Sequence, residues 1–198
     1  MEIENSIVTL WHGGRDLHLS YHEPKAASKG RWEYGPGLYL TTHYETARKY
    51  AKGGGKTYKV ELELGNHIRD VKLHIDDVLV FVKANVVKSK QNDIIEDIHD
   101  NMKRSNTLPY ITADILVNLC VNYEALKGDK TVMLNRFLVA NNVDYGTVEN
   151  FGGRNETVCV VYNLDKIKKV KSYKSQDIPV SEYESFFPKR YNKYKINP

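Results

Sequence analysis

The stretch KTYKVELEL, residues 56–64, alternates polar and apolar side chains with a period of two. This alternation is typical of a β-strand with one buried face. Upstream of it, residues 6–11 form a second β-prone run, and residues 35–41 form a turn that leads into a third. Residues 44–51 predict a short helix, with Thr42 as its cap.

The rest of the chain divides into a helical middle and a strand-rich end. Apolar residues recur at helical spacing in four segments: 76–87, 93–103, 112–126 and 130–140. Three further strands are predicted: 144–148, 156–162 and 167–173. Strands, then helices, then strands again predict an α+β fold with a mixed or antiparallel sheet, not a doubly wound parallel one.

The length of 198 residues fits one domain. We assign residues 1–178 to this domain, with a helical insert at about 75–140, and residues 179–198 to a basic, aromatic C-terminal tail. From residue 165 onward there are eight Lys and one Arg against two Asp and two Glu, so the net charge of +4 belongs to this end. Such an end is either a solvated face or a surface for an anionic partner.

Several classes of protein are disfavoured. No apolar run approaches the roughly 18 residues of a membrane span, and the first residues lack the pattern of a signal peptide. The two cysteines, Cys120 and Cys159, lie in apolar surroundings and form neither a disulfide framework nor a zinc site. We therefore expect a cytoplasmic location, with no membrane partner and no metal. Phosphate-loop, dinucleotide-binding, zinc-protease and nucleophile-elbow motifs are absent from the sequence.

Three local features stand out. Trp11-His12-Gly13-Gly14-Arg15 places a histidine and two glycines at a strand end, where glycine lets the backbone approach a ligand. Tyr39 and Tyr50 are two aromatics that can pair across the junction of a strand and the next helix. Glu156 opens an otherwise apolar strand, where a carboxylate is costly to bury without a partner. Taken singly, each also fits a structural role, as a turn cap, core rings or a solvated acid.

The order of these features resembles the ADP-ribosyltransferases, in the branch with a His-Tyr-Glu triad that includes diphtheria toxin and the poly(ADP-ribose) polymerases. The resemblance rests on blocks in family order: LWHGG at 10–14, GPGLYLTT at 35–42, ARKYA at 47–51, VDYGTV at 143–148 and NETVCVVYN at 155–163. It implies a split β-sandwich, here with a helical insert, that binds NAD between two sheets. It also implies that NAD is the substrate and that its nicotinamide–ribose bond is cleaved.

The resemblance further implies how NAD is held. His12 would bond a ribose hydroxyl, the Gly13 backbone would bind the nicotinamide carboxamide, and Arg15 would meet the pyrophosphate. Tyr39 and Tyr50 would stack on the nicotinamide ring.

The implied catalytic residues are Glu156, His12 and Tyr39. Glu156 would accept a hydrogen bond from the 2′-hydroxyl of the nicotinamide ribose, and Thr41 or Thr42, counted with the NAD-binding residues, would support it. Cleavage builds positive charge on the ribose, which a fixed carboxylate stabilises more in the transition state than in the ground state.

One departure from the family bears on the acceptor of ADP-ribose. Arginine-modifying members resemble one another by a Glu-x-Glu motif, whereas the residue two before Glu156 is Arg154. The missing second acid argues against arginine as acceptor. Protein and nucleic-acid acceptors, RNA or DNA, stay open, and a basic, aromatic tail is typical of proteins that bind single-stranded nucleic acid.

Two other functions fit the same residues. One is an NAD glycohydrolase, with water as acceptor, and the other is a module that binds NAD or ADP-ribose without catalysis. As a mono-ADP-ribosyltransferase, the chain would act as a toxin, a phage-encoded modifier or a defence effector. A toxin would have an inhibitor or antitoxin as a further partner.

Overall fold

The chain is described by a computed structural model over residues 6–14, 17, 32–51, 55–173 and 178–188. The strands are β1 (Ile7–Gly14), β2 (Leu38–Thr41), β3 (Lys56–Glu63), β4 (Lys72–His74), β5 (Tyr110–Thr112), β6 (Tyr145–Phe151), β7 (Glu156–Val161) and β8 (Ile167–Tyr173). The α-helices are α1 (Tyr44–Tyr50), α2 (Ile75–Asn85), α3 (Lys88–Ser105), α4 (Ala113–Asn122) and α5 (Lys130–Ala140).

Six strands form one sheet in the order β6-β7-β2-β1-β3-β8, and every neighbouring pair in it is antiparallel. The predicted α+β class with a mixed or antiparallel sheet is thus confirmed. The six predicted strands and five predicted helices all overlap observed elements. The small β4–β5 sheet is not predicted, because three-residue strands are too short to show a period of two.

The large sheet is nearly divided between β1 and β2. β1 pairs with β3 along its whole length, from Ile7↔Glu63 to Gly14↔Lys56, but with β2 only at Trp11↔Thr41. Leu10 and Val60 from one half nevertheless share an apolar cluster with Leu40 and Val161 from the other. The two halves therefore pack on one face while their backbone ladder is broken.

The helical insert lies between β3 and β6. Its helices α2–α5 form their own apolar core, which also includes Val160 and Tyr162 of the β7 region. The buried side-chain amide of Asn135 in α5 donates to the carbonyls of Pro36, at 2.8 Å, and Tyr162, at 3.1 Å. The insert thus anchors the loop that precedes β2. In the part of the chain that the structure describes, no helix combines the length and apolar character needed to cross a bilayer.

Residues 178–188 pack onto the domain, although most of them fall within the segment assigned to the tail. The Tyr44 N–H donates to the Tyr183 carbonyl at 2.7 Å, and the Ser185 N–H donates to the Thr42 carbonyl at 2.8 Å. Ile178 is buried against the cluster around Tyr44. This segment therefore supports the chain just after β2, while residues 189–198 lie outside the described residues.

The start of α1 differs from the sequence prediction. His43, not Thr42, occupies the N-cap position, and no side chain caps the helix. The Thr42 hydroxyl instead accepts from the Thr157 N–H at 3.0 Å. The predicted Thr42 cap is therefore wrong, because this hydroxyl links the end of β2 to β7.

Close packing of α1 on β1 explains Gly13. A Cβ atom at this position would lie 1.7 Å from the Ala47 carbonyl oxygen, a distance too short for two heavy atoms that are not bonded to each other. The glycine is therefore required for the helix to pack against the strand. Because it has no side chain, its backbone groups also remain accessible to a ligand.

We expect Gly13→Ala to lower the free energy of unfolding by about 1–3 kcal/mol, because the added methyl must displace helix backbone. Urea denaturation measures this. Gly14→Ala is the matched control, since its Cβ would meet only the end of the His12 side chain, at 3.0 Å. Equal effects of the two substitutions would contradict the packing explanation.

Candidate active site

Two adjoining clefts lie beside α1, and the first of them opens where the sheet is divided. The first, the aromatic cleft, has a volume of about 250 Å³, and its walls include His12, Gly13, Tyr39 and Thr41. The second, the basic cleft, has a volume of about 260 Å³ and is lined by Thr46, Lys49, Tyr50, Phe151, Gly152, Arg154 and Glu156. Three residues line both clefts: Thr46, Tyr50 and Phe151. The clefts therefore adjoin along these side chains.

The His12 side chain forms a hydrogen bond to β2 at a point where β1 and β2 are not paired through their backbones. Its Nδ1 lies 2.9 Å from the Tyr39 carbonyl oxygen. Because a carbonyl oxygen only accepts, Nδ1 carries the proton and donates. Burial lowers the pKa of His12 from 6.5, and the bond to Tyr39 acts in the opposite direction. The imidazole is therefore neutral at pH 7, and its Nε2 can accept a hydrogen bond from a hydroxyl.

Tyr39 presents a ring that is fixed in place. Its hydroxyl donates to the Gly35 carbonyl at 2.9 Å and accepts from the Tyr34 N–H at 3.0 Å. Burial raises the pKa of Tyr39 well above its usual range, so the phenol stays protonated. Gly35 has a φ of 106°, which favours glycine at this turn. The hydroxyl is thus committed to the loop, and the ring forms part of the wall of the aromatic cleft.

Glu156 is the buried acid of the site. Its side chain is only 1% exposed, and its two carboxylate oxygens accept from the hydroxyls of Thr41, at 2.5 Å, and Thr46, at 3.0 Å. Thr41 also accepts from the His43 N–H at 3.0 Å, which directs its own proton towards Glu156. Among the described residues, no cation forms an ion pair with Glu156. Within the described residues, this carboxylate is thus held by hydroxyl groups and not by a cation.

A second buried carboxylate shows the contrast. Asp144 accepts from the Asn66 N–H at 2.7 Å and from the Asn163 side chain at 2.8 Å, and the ammonium of Lys166 lies 3.8 Å away. These partners are backbone, amide and cation, and they tie the chain after β3 to the chain around β6 and β7. Asp144 therefore has a complete structural role, whereas Glu156 faces a cleft.

The β6–β7 hairpin places Phe151 and Arg154 beside Glu156. Asn150, Gly152, Gly153 and Asn155 all have positive φ, between 54° and 71°. Glycine and asparagine are the residues that adopt this conformation most readily. The resulting tight turn makes Phe151 the cross-strand partner of Glu156.

The structure brings most of the predicted site residues together. His12, Gly13, Tyr39, Thr41 and Tyr50 line the aromatic cleft, and Glu156 lines the adjoining basic cleft. Tyr50 is 69% exposed and lies at the shared rim.

Two predicted residues are not placed in the clefts. Thr42 lines neither of them, and Arg15 lies outside the described residues. The lining also includes residues that the sequence analysis did not single out, among them Glu33, Tyr34, Thr46, Lys49 and Phe151. A signal existed for one of them, since Phe151 belongs to the Asn- and Gly-rich run NFGGRNE that ends at Glu156.

The comparisons with known proteins give no relative: no family model, curated protein or solved structure matches the chain. Across the described ranges, no group of three or more His, Cys, Asp or Glu side chains is arranged to hold a metal ion. Function must therefore be argued from the two clefts.

We expect the stability of the protein to depend on pH through His12. Its pKa is lowered on folding, so its contribution is complete above about pH 6.5 and declines as the pH falls from there towards the lowered value. His12→Asn preserves a neutral donor for the Tyr39 carbonyl and should remove this dependence. Denaturant unfolding between pH 5 and 8 tests it; parallel curves for the two proteins would contradict it.

We expect Thr46→Val to lower the free energy of unfolding by about 1–3 kcal/mol, because a buried carboxylate oxygen loses its donor. Thr46→Ser keeps the hydroxyl and serves as the control. Thermal or urea denaturation at neutral pH compares them. If valine and serine behave alike, the hydroxyl does not support Glu156.

Proposed function

We propose that this protein is a mono-ADP-ribosyltransferase that uses NAD as its substrate. The observation that carries the proposal is the Glu156 carboxylate, which is buried, fixed by two threonine hydroxyls and without a cationic partner among the described residues. A buried charge without a counterion is unfavourable in the resting protein. Such a group stabilises positive charge that develops next to it.

Cleavage of the nicotinamide–ribose bond develops that charge. As the bond to the ring nitrogen breaks, the electron pair leaves with nicotinamide, which departs neutral and needs no proton. Positive charge remains on the ribose, where Glu156 stabilises it. A preorganised electrostatic contact of this kind contributes roughly 2–4 kcal/mol to the transition state.

The aromatic cleft supports the binding part of the proposal. The fixed ring of Tyr39 and the exposed ring of Tyr50 provide stacking surfaces for nicotinamide, and Gly13 offers backbone groups to its carboxamide. The neutral His12 accepts from a ribose hydroxyl through Nε2, as its Nδ1 is engaged by Tyr39.

The divided sheet supports an ADP-ribosyltransferase-like split β-sandwich with a helical insert. Its two halves are joined by the single pair Trp11↔Thr41, and the candidate NAD-binding residues lie on both sides of that pair. NAD would bind across the division, with its scissile bond beside Glu156.

The acceptor would enter through the basic cleft, which is lined by Glu156, Lys49 and Arg154. Two cations at this entrance repel a guanidinium group, which agrees with the absence of a second acid two residues before Glu156. A nucleic-acid or a protein acceptor would give transfer, and water would give hydrolysis of NAD.

We expect Glu156→Gln to reduce nicotinamide release at least about 100-fold, because the neutral amide no longer stabilises positive charge. The test incubates each protein with adenylate-labelled NAD and a cell lysate, divided afterwards for nuclease or protease treatment. Circular dichroism verifies that the variant is folded.

The location of the label separates the candidate functions. Nuclease-sensitive label indicates a nucleic-acid acceptor, protease-sensitive label a protein acceptor, and free ADP-ribose alone a glycohydrolase. Wild-type protein that binds NAD without releasing nicotinamide would contradict the proposal and indicate a binding module.

A further inference from the structure

The basic cleft carries two cations directly outside the buried acid. Lys49 comes from the last turn of α1 and Arg154 from the β6–β7 turn, and both side chains are exposed. In the described part of the chain, neither forms an ion pair. Two unpaired cations from different elements that converge on one cleft attract an anionic group, and the arginine can bind phosphate in a bidentate manner.

Among the described residues that line the basic cleft, Glu156 is the only carboxylate or imidazole side chain. The titratable side chains of this cleft are Lys49, Tyr50, Arg154 and Glu156. Lysine and arginine side chains carry hydrogen-bond donors and no acceptor, and Glu156 is the group that stabilises the ribose. Along the described lining of the cleft, an acceptor that must lose a proton has only Glu156 to take it, and the proposed function assigns Glu156 to the ribose. A phosphate monoester meets this constraint, because its oxygens are already ionised near pH 7.

Aromatic rings border the cations. Tyr50 is 69% exposed and Phe151 is half-buried, and both line the cleft beside Lys49 and Arg154. Rings next to cations are the combination that binds single-stranded nucleic acid, with bases stacked on the rings and phosphates on the cations. A phosphorylated peptide would use the cations but not the rings.

We propose that the acceptor is the terminal phosphate of a single-stranded nucleic acid, held by Lys49 and Arg154. This inference rests on the proposed ADP-ribosyltransferase function. A phosphate oxygen forms a bond to the ribose carbon from which nicotinamide leaves, and the carbon–nitrogen bond breaks with its electron pair going to nicotinamide. The phosphate monoester dianion becomes a diester monoanion, and no proton is released. The reaction balances without a base or a further reactant.

The test compares single-stranded oligonucleotides of one sequence that carry a 5′-phosphate, a 3′-phosphate or hydroxyl groups at both ends. Each is incubated with the full-length protein and labelled NAD, and a phosphoserine peptide is run in parallel. Label on the oligonucleotide and total nicotinamide are both measured. We expect at least tenfold more label on a phosphorylated strand than on the hydroxyl-ended strand, and none on the peptide.

Substitutions of the two cations test whether the preference for a phosphorylated strand arises in the basic cleft. Lys49→Gln and Arg154→Gln should each raise the KM for the phosphorylated oligonucleotide about tenfold, the usual scale for one charged contact. Arg154→Lys should raise the KM less than Arg154→Gln, because it keeps the charge but loses the bidentate contact. Lys83→Gln removes an exposed cation on α2, away from the cleft, and should match the wild-type protein.

The possible outcomes separate this inference from the function on which it rests. Equal labelling of phosphate-ended and hydroxyl-ended strands would overturn the terminal phosphate as acceptor. Label on the phosphopeptide, or nicotinamide release without any labelled oligonucleotide, would overturn a nucleic-acid acceptor and leave NAD cleavage intact. No nicotinamide release with any acceptor or with lysate would remove the proposed function itself.

Discussion

The broken ladder between β1 and β2 is the constraint on which the site depends. A strand inside a sheet normally satisfies its backbone groups on both edges, yet β1 pairs fully only with β3. The His12 side chain donates a hydrogen bond to the carbonyl of Tyr39. Helix α1 packs so closely over Gly13 that only glycine fits. The His12–Tyr39 hydrogen bond and the packing of α1 on Gly13 hold the two halves of the sheet together, and the aromatic cleft stays open between them.

The electrostatics of the two clefts follow from burial. Glu156 is buried, so its charge acts through a low effective dielectric and is strong at short range, whereas the exposed Lys49 and Arg154 act through solvent and are weaker. The buried anion therefore mainly stabilises positive charge in contact with it. The exposed cations mainly attract anions that approach from solvent. The site therefore combines an interior that favours positive charge with an entrance that favours negative charge.

The sequence predicts those parts of the site that a short local pattern indicates. It does not predict those that depend on contacts between residues far apart in the chain. The alternation at residues 56–64 and the carboxylate at the start of an apolar strand are local signals, and β3 and Glu156 lie where they indicate. Thr46 is not predicted, because its contact with Glu156 spans 110 residues of sequence and exists only once α1 lies beside β7. Position alone predicts Thr42 as a cap, because the strand register that lets its hydroxyl accept from the Thr157 N–H is not visible in the local sequence.

The helical insert has a consequence for how the site forms. Thr41 and Glu156 are separated by 115 residues, and closing a loop of that length from an unstructured chain is slow and costs entropy. Within it, α2–α5 build a core largely from residues of the insert, and such local contacts form quickly. Once folded, the insert brings β7 back to β2 across a short distance. The insert supplies none of the described residues that line the clefts, and it contributes to them by shortening the distance between β2 and β7.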